Sequence, residues 1–403
     1  MRAWTLGWMA LFCFTTLVTA QPPLSATPAE SADPAAASIP AASPAASGSS
    51  SIPSPPPPPA RPTMIKFAEQ LSFLLQNIPS FGNPPPDQRN RVVQSLNQLK
   101  VSSHMVQPTM QLYTVDPVMR YLILDLPKQF TAIETAYTAG QYTQARYLLR
   151  RTTQTCVACH SASSNKNSAV LSFPEPMVGI GNLERAEYYA ATRRHEDAML
   201  AYEKALQDKD FKATQPERWN EALANLIAIT IRLRNSPHMT LEMISSRMEE
   251  PGLRPEQKAM LQAWRASAKA WTQEKLNVKL SPADMLLKAQ SLSEQAKQIA
   301  KKNPSFAYVD SLRVMTLLNE IAMSPEADVL KAESFYMAGE TAQKLKDIQI
   351  WSHPEAYYEA CIRAKPHSPE SQKCWAALKN SIAQDKSLSL SAELSKQLSD
   401  LAL

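Results

Sequence analysis

From residue 63 onward, apolar side chains recur three and four positions apart and not two. That is the period of a helix with one buried face, so the pattern predicts helices throughout and an all-α fold. A first helix is expected over residues 63–78, with Phe67, Ala68, Leu71, Leu74, Leu75 and Ile78 on one face and Met64 on the same stripe. A second is expected over 86–107, aligning Val92, Leu96, Leu99 and Val106 and stopping at Pro108. A third runs over 127–140 with Phe130, Ile133 and Tyr137 inward, and a fourth from Tyr142 to about Ser161. Four antiparallel helices joined by short turns make a bundle. The stretch 108–126, with Met110, Tyr113, Met119 and Tyr121, breaks the pattern and is expected to wrap one end of that bundle as irregular chain.

Glycine usage agrees with this reading: only six glycines fall in the 341 residues from 63 to the end. Two further segments precede the helices. Residues 1–20 read as a signal peptide, with a positive start at Arg2, an apolar run from Trp4 to Val18, and small residues before a cleavage expected at Gln21. The run is short for a membrane span of about 20 residues, so membrane attachment is expected only if this segment stays uncleaved. Cys13 follows the bulky Phe12, a poor site for lipid attachment. Residues 21–62 are Ala, Pro and Ser with few bulky apolar side chains, a composition that cannot bury enough surface to order itself. They read as a disordered linker, stiffened into polyproline II at Pro55 to Pro59.

A polar join follows the fourth helix, carrying Ser161 to Ser168, Pro174, Pro176, Gly179 and Gly181. Beyond it, residues 176–403 form a second domain. Small and aromatic residues there stand at recurring offsets: Ala186, Tyr189, Ala198, Tyr202 and Ala205, and again, more weakly, Ala338, Gly339, Tyr358, Cys361 and Pro366 with an insertion at 348–353. These offsets resemble tetratricopeptide repeats, in which small residues let two helices touch and aromatic residues fill the gaps. The expected architecture is a TPR-like α-solenoid with degenerate central repeats, its helices at about 216–245, 254–276, 282–301 and 304–322. The stretch 351–374 resembles the closing repeat of some exported bacterial tetratricopeptide proteins.

Charge changes the picture little. The chain has 42 Lys and Arg against 37 Asp and Glu, a net charge of +5, well mixed and without a basic stripe. Nucleic-acid binding is not expected. No zinc-protease, phosphate-loop or nucleophile-elbow motif occurs, so the chain does not read as an enzyme, a peroxidase-like side activity aside.

The chemistry lies in one run, Cys156-Val157-Ala158-Cys159-His160. Cys-x-x-Cys-His is the attachment sequence of c-type haem. Each thiol adds to one haem vinyl group, and the histidine becomes the proximal iron ligand. Cys156, Cys159 and His160 are three and four apart on a helix, so they share a face. That face continues Ala145, Leu149 and Thr152, the stripe expected to meet the bundle core. A redox dithiol wants a preceding strand, and zinc wants four ligands; neither is offered here. One covalent haem c is therefore expected. After it is attached, Cys361 and Cys374 remain as a pair. Export implies an oxidising compartment, and Pro366-His367-Ser368-Pro369 turns the chain so that the two cysteines can face each other, so a disulfide is expected.

Residues 63–165 resemble the class II, cytochrome c-prime-like cytochromes, in which the attachment motif sits near the end of the last helix of a four-helix bundle. The resemblance implies electron transfer, or gas binding where the sixth iron position stays open; the irregular 108–126 stretch departs from it. Candidates for the sixth position are Met64, on the buried stripe of the first helix, as in six-coordinate members of that class, His104, and more weakly Met110 and Met119, besides an open iron. Three functions follow as expectations: an exported, periplasmic mono-haem electron carrier whose TPR-like domain docks a protein partner; a haem-based gas sensor; or an interaction scaffold with a structural haem. His353, His367 and Trp351 read as structural or surface residues.

Overall fold

Proline sets where many of these helices begin. The chain carries 32 prolines, and among the described residues eight of sixteen α-helices open on one, because the first helical residue has no partner for its N–H and proline's fixed φ already suits the turn. Ser236 and Ser281 add side-chain caps in front of two of them, accepting from the backbone N–H of Met239 at 3.3 Å and of Asp284 at 3.2 Å. The computed structural model describes residues 60–79, 82–113, 117–162, 175, 179–274, 280–346, 348, 353–384, 390 and 392–403. Among them there are helices and no strand, so the fold is all-α. All lie in one compact unit, Pro57–Leu403. The expected signal peptide and most of the expected linker lie outside the described residues.

The first four helices are α1 (Ala60–Asn77), α2 (Pro86–Tyr113), α3 (Pro117–Thr138) and α4 (Tyr142–Ala162). α1 packs on α2, α2 on α3, α3 on α4, and α4 returns to α1. Side-chain pairs fix the register. The Gln88 amide donates to Asn77 Oδ1 at 3.2 Å and Ser95 Oγ to Gln70 Oε1 at 2.6 Å, which makes α1 and α2 antiparallel. Lys100 on α2 meets Glu134 on α3 at 2.6 Å, and Thr155 on α4 donates to Gln129 on α3 at 3.1 Å. The expected inward residues are buried, from Phe67 to Ile78 on α1, Val92, Leu96 and Leu99 on α2, Phe130, Ile133 and Tyr137 on α3, and Ala145, Leu149 and Thr152 on α4.

One expectation fails here. The stretch 108–126 is not an irregular wrap: α2 continues through Pro108 to Tyr113, and α3 already starts at Pro117 and contains Pro127. Only 114–116 lie outside the described residues. A proline inside a helix costs about 3 kcal/mol. Around Pro127 that cost is offset by packing, since Leu122, Ile123 and Phe130 are all buried in the core. α1 likewise begins three residues early, inside the expected linker.

The remaining helices are α5 (Asn182–Ala191), α6 (His195–Gln207), α7 (Lys209–Thr214), α8 (Pro216–Arg232), α9 (Pro237–Met248), α10 (Pro255–Thr272), α11 (Pro282–Ala300), α12 (Tyr308–Met323), α13 (Asp328–Leu345), α14 (Pro354–Ala364), α15 (Pro369–Gln384) and α16 (Ala392–Ala402). Most pack on the helix before them. The single helix expected over 216–245 is two, α8 and α9, parted where Asn235 takes φ +46°. α5 and α6 touch as the small residues required: Ala186, Ala198 and Ala205 are buried, with Tyr202 between them. α13 and α14 meet even more closely, since a Cβ on Gly339 would land inside the ring of Tyr358. Three of the buried aromatic groups keep partners for their polar atoms: the Trp219 indole donates to Leu206 O at 3.1 Å, Trp264 to Ser305 O at 2.7 Å, and Tyr308 to Ala224 O at 2.8 Å. Cys361 and Cys374 form the expected disulfide, with their Cα atoms 6.2 Å apart.

Both ends of this second run return to the first four helices. α5 packs on α4, and α14 packs on α3.

Candidate functional site

α4 is unbroken from Tyr142 to Ala162, so the run Cys156 to His160, expected to be the attachment sequence, lies wholly on helix. Its buried stripe leads straight to Cys156, which packs, partly buried, against the core and carries a free thiol. Burial pushes that thiol up to about 12, so it stays neutral in an apolar setting. Such a setting suits a porphyrin edge better than a hydrated metal ion. The side chains of Cys159, His160, Met110 and Met119 lie outside the described residues. The backbone nonetheless sets Cys156, Cys159 and His160 on one helical face, as the spacing required. The donor set of two thiols and an imidazole therefore fits covalent haem.

The register places the sixth-position candidates. The Arg146 guanidinium on α4 donates to the carbonyls of Leu75 and Ile78, the latter at 3.2 Å. Cys156 to His160 lie ten to fourteen residues further along α4, about 15–21 Å on. Met64 lies eleven to fourteen residues back along the antiparallel α1, which brings it level with the motif. It is partly buried and packs against the core. His104 is exposed on α2. The geometry thus sets Met64 beside the attachment sequence and turns His104 to solvent.

Three features of the site were not legible in the sequence. The first is a buried ionic group on the other side of α4. Arg150, six residues before Cys156, donates through Nη2 to Glu187 on α5 at 2.6 Å and through Nε to the same carboxylate at 3.1 Å. It also donates to Glu221 on α8 at 3.1 Å. Glu187 is wholly buried. Burial opposes the Arg150 charge, but the two carboxylates outweigh it and hold the guanidinium protonated. Glu221 is pushed above the usual carboxylate range, chiefly by burial, with Arg150 pulling the other way and Glu187 adding to the rise. Arg146 extends the row, meeting Glu184 on α5 at 3.2 Å, and Arg218 on α8 meets the same carboxylate at 3.1 Å. The partners stand 37 and 71 residues from Arg150, so no local spacing announces them.

The second feature is His353, at the start of α14. Its Nε2 is buried with no hydrogen-bond partner among the described residues. Burial, with Arg151 of α4 and Lys346 nearby, pushes its imidazole down to about 4. The expected structural role for His353 thus becomes a specific one, in the C-terminal segment that reaches back toward α4. Trp351 lies outside the described residues. The third feature is an exposed apolar pair on α2, Val101 and Met105, at the level of the attachment sequence.

Among the described residues, no helix is long and apolar enough to cross a membrane. The chain matches no family model, no curated protein and no solved structure.

Proposed function

We propose that this chain is an exported mono-haem c-type cytochrome that carries single electrons, built as a four-helix bundle of the class II kind joined to a TPR-like helical repeat domain. The observation that carries the reading is the run of α4: an unbroken helix delivers Cys156-Val157-Ala158-Cys159-His160 at the end of the stripe that faces the core, with Cys156 free and partly buried. When bound, haem supplies a one-electron iron couple. Cys156 and Cys159 would anchor it through their sulfur atoms, and His160 and Met64, the latter level with the motif and packed against the core, would be its iron ligands. A thioether there favours a low-spin centre of higher potential, suited to passing electrons and not to binding gases.

The repeat domain holds the bundle from two sides, through α5 on α4 and α14 on α3. In this reading it fixes the haem helix as well as offering surface to a protein partner. The open-iron gas sensor is a second reading, because Met64 is only partly buried. The visible spectrum of the reduced protein, with and without carbon monoxide, separates the two. The electron carrier gives a sharp low-spin spectrum that carbon monoxide leaves unchanged, and Met64→Ala converts it into one that carbon monoxide alters. Immediate carbon monoxide binding by the unsubstituted protein would instead establish the sensor.

A further inference from the structure

Of the four bundle helices, α3 is covered on its outside by α14 and α4 by α5, and α1 touches α5. Among the described residues, the packing of α2 stays with α1 and α3. Among the described residues no helix packs broadly on the outer face of α2. That face is not ordinary helix surface. Val101 and Met105, one turn apart, are 56% and 61% exposed, and Gln94 and Gln98 beside them are exposed and uncharged. An apolar centre depleted of charge is the composition of the middle of a protein interface and not of its rim.

The register brings this patch to the attachment sequence. Ser95 pairs with Gln70 across the antiparallel α1, so Val101 stands level with Met64. Lys100 pairs with Glu134 across α3, so Met105 stands level with Gln129, which bonds Thr155, the neighbour of Cys156. The same register sets the exposed Lys66 of α1 nearly level with Val101 and the exposed Lys128 of α3 nearly level with Met105. Nearby carboxylates are engaged or set back: Glu134 is paired with Lys100, Asp125 accepts from Gln129 at 2.8 Å, and Glu69 lies about a turn further along α1. The charge balance agrees. Residues 60–162 hold ten Lys and Arg against five Asp and Glu, a surplus equal to that of the whole chain.

We propose that an acidic electron-carrier protein docks on the outer face of α2, with Val101 and Met105 at the centre and Lys66 and Lys128 at the rim. The proposal rests on the electron-transfer reading above. One electron leaves the reduced partner and reduces the iron from ferric to ferrous, with no other bond made or broken. Opposite charges steer the encounter, and the apolar pair fixes the docked pose.

The test uses the haem-loaded full chain and, as probe, a reduced acidic plant-type ferredoxin, with haem reduction followed by stopped-flow absorbance. The expected rate falls as salt rises. The double variant V101E/M105E lowers it by about tenfold or more, while reduction by dithionite and the haem spectrum stay unchanged. K66Q/K128Q flattens the salt dependence. L287E/V329E, which alters two other exposed apolar residues, leaves the rate alone. A normal haem spectrum with a ferredoxin rate that ignores V101E/M105E, or that shows no salt dependence, overturns the docking proposal and leaves the cytochrome reading standing. A protein without haem overturns the reading itself.

Discussion

Arg150→Met isolates the join between α4 and the helices α5 and α8. The arginine satisfies Glu187 through two nitrogens and Glu221 through one, and Glu187 has no exposed surface on which to recruit water. Methionine keeps the aliphatic stem and removes the charge, leaving two carboxylates facing each other in the interior. Breaking a buried pair in this way costs about 3–5 kcal/mol. With a urea slope of about 3 kcal/mol per molar, the unfolding midpoint falls by about 1 M or more. The loss also depends on pH. Without Arg150, burial and mutual repulsion raise the folded-state pKa of the carboxylates above their unfolded value. The folded variant then binds more protons than the unfolded chain, and its stability falls as pH rises. The deficit is therefore small near pH 4 and grows through the ordinary carboxylate range toward pH 7. The triple variant Arg150→Met, Glu187→Leu, Glu221→Leu replaces the group with apolar volume and lies within about 1 kcal/mol of the parent. Urea titrations followed by circular dichroism across pH read all three. A single variant within about 1 kcal/mol of the parent at pH 7, or a triple variant as unstable as the single one, would show that Arg150 does not offset the two buried carboxylates.

Other outcomes follow from the same geometry. Gly339→Ala forces a methyl group into the ring of Tyr358 and costs about 1–3 kcal/mol in thermal or urea unfolding, with partial recovery when Tyr358→Leu is added. Cys361→Ser with Cys374→Ser removes a link closing a 13-residue separation and lowers stability by about 3 kcal/mol on the loop-entropy argument; reductant then destabilises the parent and not the variant. His353 has its folded pKa depressed from 6.5 to about 4, so the unfolded chain binds the extra proton and stability declines as pH falls from 6.5 to 4. His353→Phe flattens that part of the stability curve, by up to roughly 3 kcal/mol across the window.

The helices, and the residues that face the core, were legible because a stripe at three and four spacing survives wherever one side of a helix is buried. The run Cys156 to His160 stood out as a candidate site because its donor groups lie within five consecutive residues. Proline misled at Pro108 and Pro127: local sterics mark both as helix ends, but Leu122, Ile123 and Phe130 bury enough apolar surface to carry α3 across Pro127. The opposite error came at Asn235, where the polar run Arg234-Asn235-Ser236-Pro237 marks a turn and a helix cap inside a stretch expected to be one helix; Asn235 is left-handed and parts α8 from α9. The Arg150 group, the seat of α14 on α3, and the buried face of His353 depend on residues brought together over long separations. No window of sequence contains both halves of such a contact. The open face of α2 was hidden for the same reason, since exposure is decided by what other helices cover.

The most direct test is the intact mass and visible spectrum of the mature protein, made in a host that attaches haem to Cys-x-x-Cys-His sequences and measured after denaturation. The account predicts a coloured chain, heavier than its polypeptide by one haem that acid and organic solvent do not extract, and a chain without that mass when Cys156 and Cys159 are both alanine. A colourless parent at the mass of the bare polypeptide would contradict it.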